Sequence, residues 1–170
     1  THLDLFDPEQ RDDADRRFAE LVALGDCCGT TVERAWHRWL TAQNDGDLDT
    51  LATLLAEGYT LRDCILHCEF DRSGTLADLQ RVLAGPSRFD AGRSIPLGDR
   101  HGVFELVWSR GAGQTVGASE LTKWFVNRCD ATGRFLLTEW YGEHELVQAL
   151  KRGEELYLQD EAAGDTARSR

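Results

Sequence analysis

The sequence has no apolar run approaching the ~20 residues a membrane-spanning helix needs. Its acidic, charged beginning also lacks the basic start and apolar stretch of a secretion signal, so a cytoplasmic protein is the expectation. Positive charge is scarce. The 19 Lys and Arg residues face 30 Asp and Glu, a net charge of −11. That balance argues against a nonspecific nucleic-acid binder, which needs a cationic face, and disfavours docking on anionic lipid. No Gly-x-Ser-x-Gly elbow is present to expose a nucleophilic serine. No glycine loop opens a helix to cradle phosphate, since Gly111-Ala112-Gly113 starts none. The five cysteines are odd in number and lack the dense, even spacing of a disulfide scaffold. Metal-ligand spacing is missing too. Any chemistry is expected to be cofactor-free, with no metal.

What is present is an ordinary globular mixture. The chain has 170 residues, 41% hydrophobic and 29% charged, enough for one domain with a substantial core. Asp7-Pro8-Glu9-Gln10 is a helix start, followed by a stripe of Ala14, Phe18, Leu21 and Val22 that ends near Gly25. Thr30-x-x-Glu33 is a capping box. It opens a helix with Val32, Ala35, Trp36, Trp39 and Leu40 on one face. Asn44-Asp45-Gly46-Asp47 breaks it and caps a shorter helix carrying Leu48, Leu51 and Leu55.

After Gly58 the pattern turns to strand over Tyr59–Phe70. A helix capped by Thr75 follows, with Leu76, Leu79, Val82 and Leu83, ending at Gly85-Pro86. The second half predicts strands: a short edge at Arg93–Leu97, then Gly102–Arg110, Val116–Cys129 and Arg134–Gly142. Asp130–Gly133 is the hairpin turn between the last two. Leu146, Val147 and Leu150 suggest a short terminal helix, and Gly164–Arg170 a frayed end. Helices segregated from an antiparallel sheet make an α+β domain.

Arg62–Asp71, RDCILHCEFD, packs Cys64, His67 and Cys68 into five positions. In a helix the three would share a side and suit a metal. In a strand the two cysteines lie roughly 13 Å apart at about 3.3 Å per residue, too far for a shared metal or a disulfide. The strand reading makes these cysteines packing residues, and the Cys27-Cys28 pair, at a helix–helix junction, is expected to be packing as well.

Trp36–Leu48, Gly58–Asp63 and Gly133–Trp140 followed by Glu143–Leu150 carry a family resemblance. The chain from about Val32 to Leu150 resembles the NTF2-like superfamily, and within it the SnoaL-like group of polyketide cyclases and small-molecule isomerases. The resemblance implies a cone, a curved antiparallel sheet wrapped over N-terminal helices, as a domain over 31–152. Residues 1–30 are then a helical extension and residues 153–170 a C-terminal tail. It also implies a pocket for a small hydrophobic molecule. The group includes non-catalytic binding modules as well as enzymes. Neither the Arg–Asp pairing of limonene-epoxide-hydrolase-like members nor the His–Asp pairing of dehydratases is assigned to residues of this chain.

The hairpin around Asp130–Gly133 pairs Val126 with Leu137, Trp124 with Glu139 and Thr122 with Tyr141. One face then presents Glu120, Trp124, Val126, Leu137, Glu139 and Tyr141. The other presents Leu121, Lys123, Phe125, Leu136, Thr138 and Trp140. Both are apolar, so the outer face is expected to pack on a second subunit in a homodimer. The face with Trp124 is expected to line the cone, where burial would raise the pKa of Glu120 or Glu139. Tyr141 would donate to a developing oxyanion. The alternative is that both glutamates face solvent.

Asp63 shares a strand face with Tyr59 and Leu61 and is the other candidate acid or base; the bland reading pairs it with an Arg at the surface. Tyr59, Trp36, Phe104, Trp108 and Trp124 are the candidate substrate-binding residues. His101 is expected to be exposed, and His37 to flank the core. The leading expectation is an acid/base enzyme of cyclase, isomerase, dehydratase or epoxide-hydrolase type. Its rival is a non-catalytic ligand-binding or protein-interaction module.

Overall fold

The computed structural model describes residues 29–110 and 119–168. The helix expected over Asp7–Gly25, the Cys27-Cys28 pair and the Gly111–Gly113 loop lie outside them. Helix α1 (Thr31–Asp45) begins as the sequence predicts: the Glu33 amide donates to the Thr30 hydroxyl at 3.3 Å, and the Glu33 carboxylate accepts the Thr30 amide at 2.8 Å. Asp99 adds a second clamp, accepting the Thr31 amide on its side chain and the Val32 amide on its backbone oxygen. Gly46, at φ 70°, ends the helix in the left-handed conformation that glycine adopts without strain. Asp47 caps α2 (Leu48–Leu54).

Strand β1 (Leu55–Asp63) and β2 (Cys68–Asp71) form a hairpin where one strand was expected. The turn contains no Gly, Pro or Asn. Instead the Asp63 carboxylate accepts the amides of Ile65 and Leu66, each at 2.9 Å, and His67 takes φ 54°. Asp63 stands opposite Cys68 in the ladder, so the long extended-chain separation of Cys64 and Cys68 does not hold. Both are free thiols. No group of three or more His, Cys, Asp or Glu among the described residues is placed to hold a metal ion. Helix α3 (Arg72–Leu83) is capped by Asp71, whose carboxylate accepts the Gly74 amide at 2.8 Å. Thr75 is not the cap. It lies inside the helix, its hydroxyl donating to the Asp71 carbonyl.

Strands β3 (Ser87–Pro96), β4 (His101–Arg110), β5 (Ser119–Cys129) and β6 (Phe135–Gly142) complete a six-stranded, unclosed sheet in the order β2-β1-β6-β5-β4-β3. β3 is an edge, as Pro96 requires, though longer than expected. One pairing departs from the antiparallel expectation: β1 runs parallel to β6. Register shifts between Ala91 and Ser94 and between Leu55 and Thr60 bend the sheet.

Helices α1–α3 fill the concave face. There Trp36 stacks on Trp39 at 5.3 Å and on Phe104 at 5.1 Å, with Phe125 tilted against both indoles. The convex face is covered by α4 (Leu146–Arg168), a long helix where a short one and a frayed tail were expected. It runs unbroken through the expected domain boundary at residue 152. Ala149 and Leu156 pack on Val103, Trp124, Val126 and Leu137. The apolar back of the sheet, read from sequence as a subunit contact, is therefore buried within one chain. No helix of the described residues is long and apolar enough to cross a membrane.

Two polar clusters fasten α4. Arg152 makes two bonds to Glu139, at 2.9 and 3.1 Å, and Arg62 adds a third from β1 at 3.2 Å. Further along, Arg128 grips Asp160 through two bonds, at 2.9 and 2.7 Å. His101, expected to be exposed, is buried there with its Nε2 3.1 Å from Asp160. Burial holds its pKa below the ordinary value despite the Asp160 charge.

At Gly153 the helix comes so close that a Cβ would lie 2.6 Å from Leu97 and 3.1 Å from Val103. Alanine usually stabilises a helix interior relative to glycine by ~1 kcal/mol, but a larger side chain here meets the sheet. Gly153→Leu is expected to cost about 1–3 kcal/mol, read as a lower midpoint of thermal unfolding; an unchanged midpoint would refute the close packing of α4.

Burial alone would raise the Glu139 pKa, but its bonds from Arg152, Tyr141 and Arg62 outweigh that and hold it below the ordinary value. The unfolded chain therefore takes up this proton first as pH falls. The carboxylate's contribution is complete above its unfolded pKa and fades as pH drops through the folded one. Glu139→Gln is expected to lose roughly 3 kcal/mol near neutral pH. Urea unfolding should show the gap from wild type narrowing as pH falls below about 4.5; a gap independent of pH would contradict the ion network.

Candidate active site

The β5–β6 ladder pairs Trp124 with Tyr141, Val126 with Glu139 and Arg128 with Leu137. This is two residues from the expected register. Because side chains alternate with a period of two, the shift leaves both face assignments intact. The difference lies in which face meets which layer. Trp124, Val126, Leu137, Glu139 and Tyr141 lie on the convex side against α4, not in the cone.

Glu139 is thus buried in an arginine clasp, with a pKa pushed the opposite way from the expectation. The Tyr141 hydroxyl is already donated to Glu139 at 3.1 Å; burial and that negative charge both raise its pKa. Trp124 donates its indole N–H to the Glu143 carbonyl at 2.9 Å, with the Arg93 guanidinium over its ring. Glu120 is exposed, opposite Ser109. The structure does not bring Glu120 or Glu139 together with Asp63.

The remaining candidates fall on the concave side. Trp36 and Phe104 are buried and stacked on each other at 5.1 Å. Tyr59 is buried with its hydroxyl paired to Thr138, and burial raises its pKa. Trp108 is partly buried and stacks on Phe89 at 6.1 Å. Asp63 is buried at the end of β1, beside Trp140 in the parallel ladder. One of its oxygens serves the turn amides. The other lies 3.9 Å from the Lys123 ammonium, which rests 4.4 Å over the Trp140 ring.

Lys123 was not a candidate from sequence, yet it joins Asp63 and Trp140 in one group spanning three adjacent strands. Burial lowers its pKa, with the charges of Asp63, Asp78 and Cys68 opposing that shift. One composition signal would have drawn attention to it: Lys123 and Lys151 are the only lysines among the 19 Lys and Arg residues.

Several polar atoms in this layer have no partner among the described residues. They are the indole N–H groups of Trp108 and Trp140 and one amide atom each of Gln43 and Asn127. Buried polar groups in a closed core are normally paired. Here these buried donors and acceptors lie on the same side of the sheet as Asp63 and Lys123. Such a set can orient an oxygen-bearing ligand, and an aromatic wall can hold its apolar body.

An Arg-x-Asp, not recognised from the sequence between Gly102 and Gly142, is present there as Arg128-Cys129-Asp130. Both side chains are occupied elsewhere. Arg128 grips Asp160, and Asp130 closes the β5–β6 turn by accepting from Thr132 and Arg134.

No family model and no curated protein sequence matches the chain. Solved structures do. An epoxide hydrolase of LEH-like type from M. tuberculosis is 20% identical, covering 72% of this chain and 91% of its own, with a TM-score of 0.55. IdmH, a putative polyketide cyclase from Streptomyces antibioticus, is 18% identical over 70% of this chain and 97% of its own, at 0.56. RV0760c from Mycobacterium tuberculosis in complex with estradiol-17beta-hemisuccinate is 12% identical over 69% and 97%, at 0.59. The curved six-stranded sheet, helices α1–α3 in its hollow and these likenesses lead to one conclusion: the chain has the NTF2-like fold.

Proposed function

We propose that this protein binds a small, mostly hydrophobic metabolite on the concave face and performs acid/base chemistry on it, with Asp63 moving the proton. The observation that carries this reading is the Asp63–Lys123–Trp140 group within an aromatic layer that also holds unpaired polar atoms. Two backbone amides fix the Asp63 carboxylate and leave its second oxygen directed toward Lys123. A positioned carboxylate is a competent general base, and the neighbouring cation stabilises negative charge developing on a ligand oxygen. The Trp140 ring beneath the ammonium is an apolar surface for the ligand's body. Estradiol hemisuccinate in a structure of the same fold supports a flat, apolar ligand. The epoxide hydrolase and the putative polyketide cyclase among the similar structures support an enzyme.

The tightly stacked Trp36, Trp39, Phe104 and Phe125 favour a second reading, a binding module whose narrow end is filled. The two readings separate on the carboxylate. Titration of the wild type with estradiol-17β-hemisuccinate is expected to quench tryptophan fluorescence saturably. Trp140→Ala should weaken binding about 3–10-fold, the worth of one aromatic contact. For any substrate found in a panel of hydrophobic epoxides and ketones, Asp63→Asn should lower kcat by at least about 100-fold. Binding that survives together with unchanged turnover in Asp63→Asn would remove Asp63 from the chemistry. The absence of saturable binding by every panel member, with the protein folded, would remove the concave site itself.

A further inference from the structure

We propose that Lys123 is a carbonyl-capturing amine, forming a reversible imine with a hydrophobic aldehyde or ketone bound on the concave face. The inference rests on the concave ligand site proposed above and adds a covalent step to it. Three observations carry it. The first is the choice of cation. Arginine supplies 17 of the 19 basic side chains of this chain, including those binding Glu139, Asp160, Glu105 and Asp130. Arginine stays protonated and is a poor nucleophile, whereas lysine can lose its proton and attack carbon. One of only two lysines lies over the Trp140 ring beside Asp63; the other, Lys151, is exposed on α4.

The second observation is the amine's surroundings. The Lys123 side chain is 17% exposed, so the ammonium is neither sealed nor freely hydrated. Its nitrogen is 3.9 Å from Asp63, beyond a normal hydrogen bond, and lies over an indole face. The charged groups acting on it from neighbouring elements are Asp63 on β1, Cys68 on β2 and Asp78 on α3, and burial still lowers its pKa. A lysine serving only as a salt-bridge partner would gain most from direct, hydrogen-bonded contact. This one is left able to exchange its proton.

The third observation is the acid/base partner. Asp63 can take one proton from the ammonium, leaving the amine lone pair free. That pair forms a C–N bond to the carbonyl carbon while the C=O π pair moves to oxygen. A proton passes from nitrogen to this oxygen, giving a carbinolamine. Asp63 then returns its proton to the departing hydroxyl, which leaves as water while the nitrogen lone pair forms the C=N bond. The products are one iminium, one water and the regenerated carboxylate; charge and hydrogen count are conserved.

Borohydride trapping tests the proposal in the folded protein. The full chain is incubated at pH 7 with 2-naphthaldehyde, reduced with sodium borohydride and mapped by peptide mass spectrometry. The secondary amine is expected on Lys123 at least about tenfold faster than on Lys151, because a bound aldehyde is held beside that amine and burial favours its neutral form. Both lysines are read in one sample, so the comparison needs no variant. Lys151→Arg should retain the Lys123 adduct and Lys123→Arg should lose it. Saturation with 2-methylnaphthalene, which has no carbonyl, should slow the reaction at Lys123 and leave Lys151 unaffected. Equal labelling of the two lysines, or no adduct at Lys123, overturns the imine. In that case saturable quenching by 2-methylnaphthalene would leave the concave ligand site standing, and no quenching would remove both.

Discussion

Strands β5 and β6 carry large apolar side chains on both faces, and the rest of the structure answers that constraint. A sheet of this kind is stable in water only between two layers. The first layer is α1–α3, whose tryptophans interlock with Phe104 and Phe125. The second is α4, laid over Trp124, Val126 and Leu137. With a layer on each face, the same strands form a floor under α4 and a wall toward α1–α3. Polar groups divide accordingly. On the convex side Glu139 and Asp160 are saturated by arginine. On the concave side Lys123 stands 3.9 Å from Asp63, and the indole N–H groups of Trp108 and Trp140 have no partner among the described residues.

Asp63 links the two kinds of duty. Its first oxygen makes a turn out of Cys64–His67, a sequence with none of the usual turn residues, and its second remains by Lys123. A carboxylate committed at one oxygen has lost the rotational freedom that a surface aspartate keeps. Positioning of that kind reduces the entropy lost on reaching a reactive geometry. The hairpin also directs β2 into α3, so the residue nearest the proposed chemistry shapes the wall around it.

Much of the frame was legible in the sequence. The Thr30–Glu33 capping box, the Gly46 stop, the Asp47 cap and the Asp130–Gly133 turn are local signals, and each is seen in the structure. Face membership in β5 and β6 was legible as well, because alternation survives a two-residue shift in register. The identity of the covered face was not. It depends on α4, whose Lys151-Arg152-Gly153-Glu154-Glu155 stretch reads as a solvated tail. The stretch is charged because Arg152 reaches into the sheet for Glu139, and its glycine is a point of close approach. The Cys64–His67 turn was hidden for a related reason: its turn-forming group is a side chain from the preceding strand. Lys123 was missed because alternation says where a side chain points and nothing about the charges it meets there.

The parallel pairing of β1 with β6 has a consequence for synthesis. The contact between Arg62 and Glu139 spans 77 residues, and β6 fills the slot between β1 and β5. Until that strand leaves the ribosome, the β1–β2 hairpin and the β3–β5 meander have no shared ladder. The aromatic hollow is bounded on one side only, and α4 follows later still. Contacts of such separation must close a long loop before they contribute, which slows folding. The nascent chain therefore holds the β3–β5 meander with an unpaired apolar edge until Phe135–Gly142 is made, and cooperative closure waits for that strand and for α4.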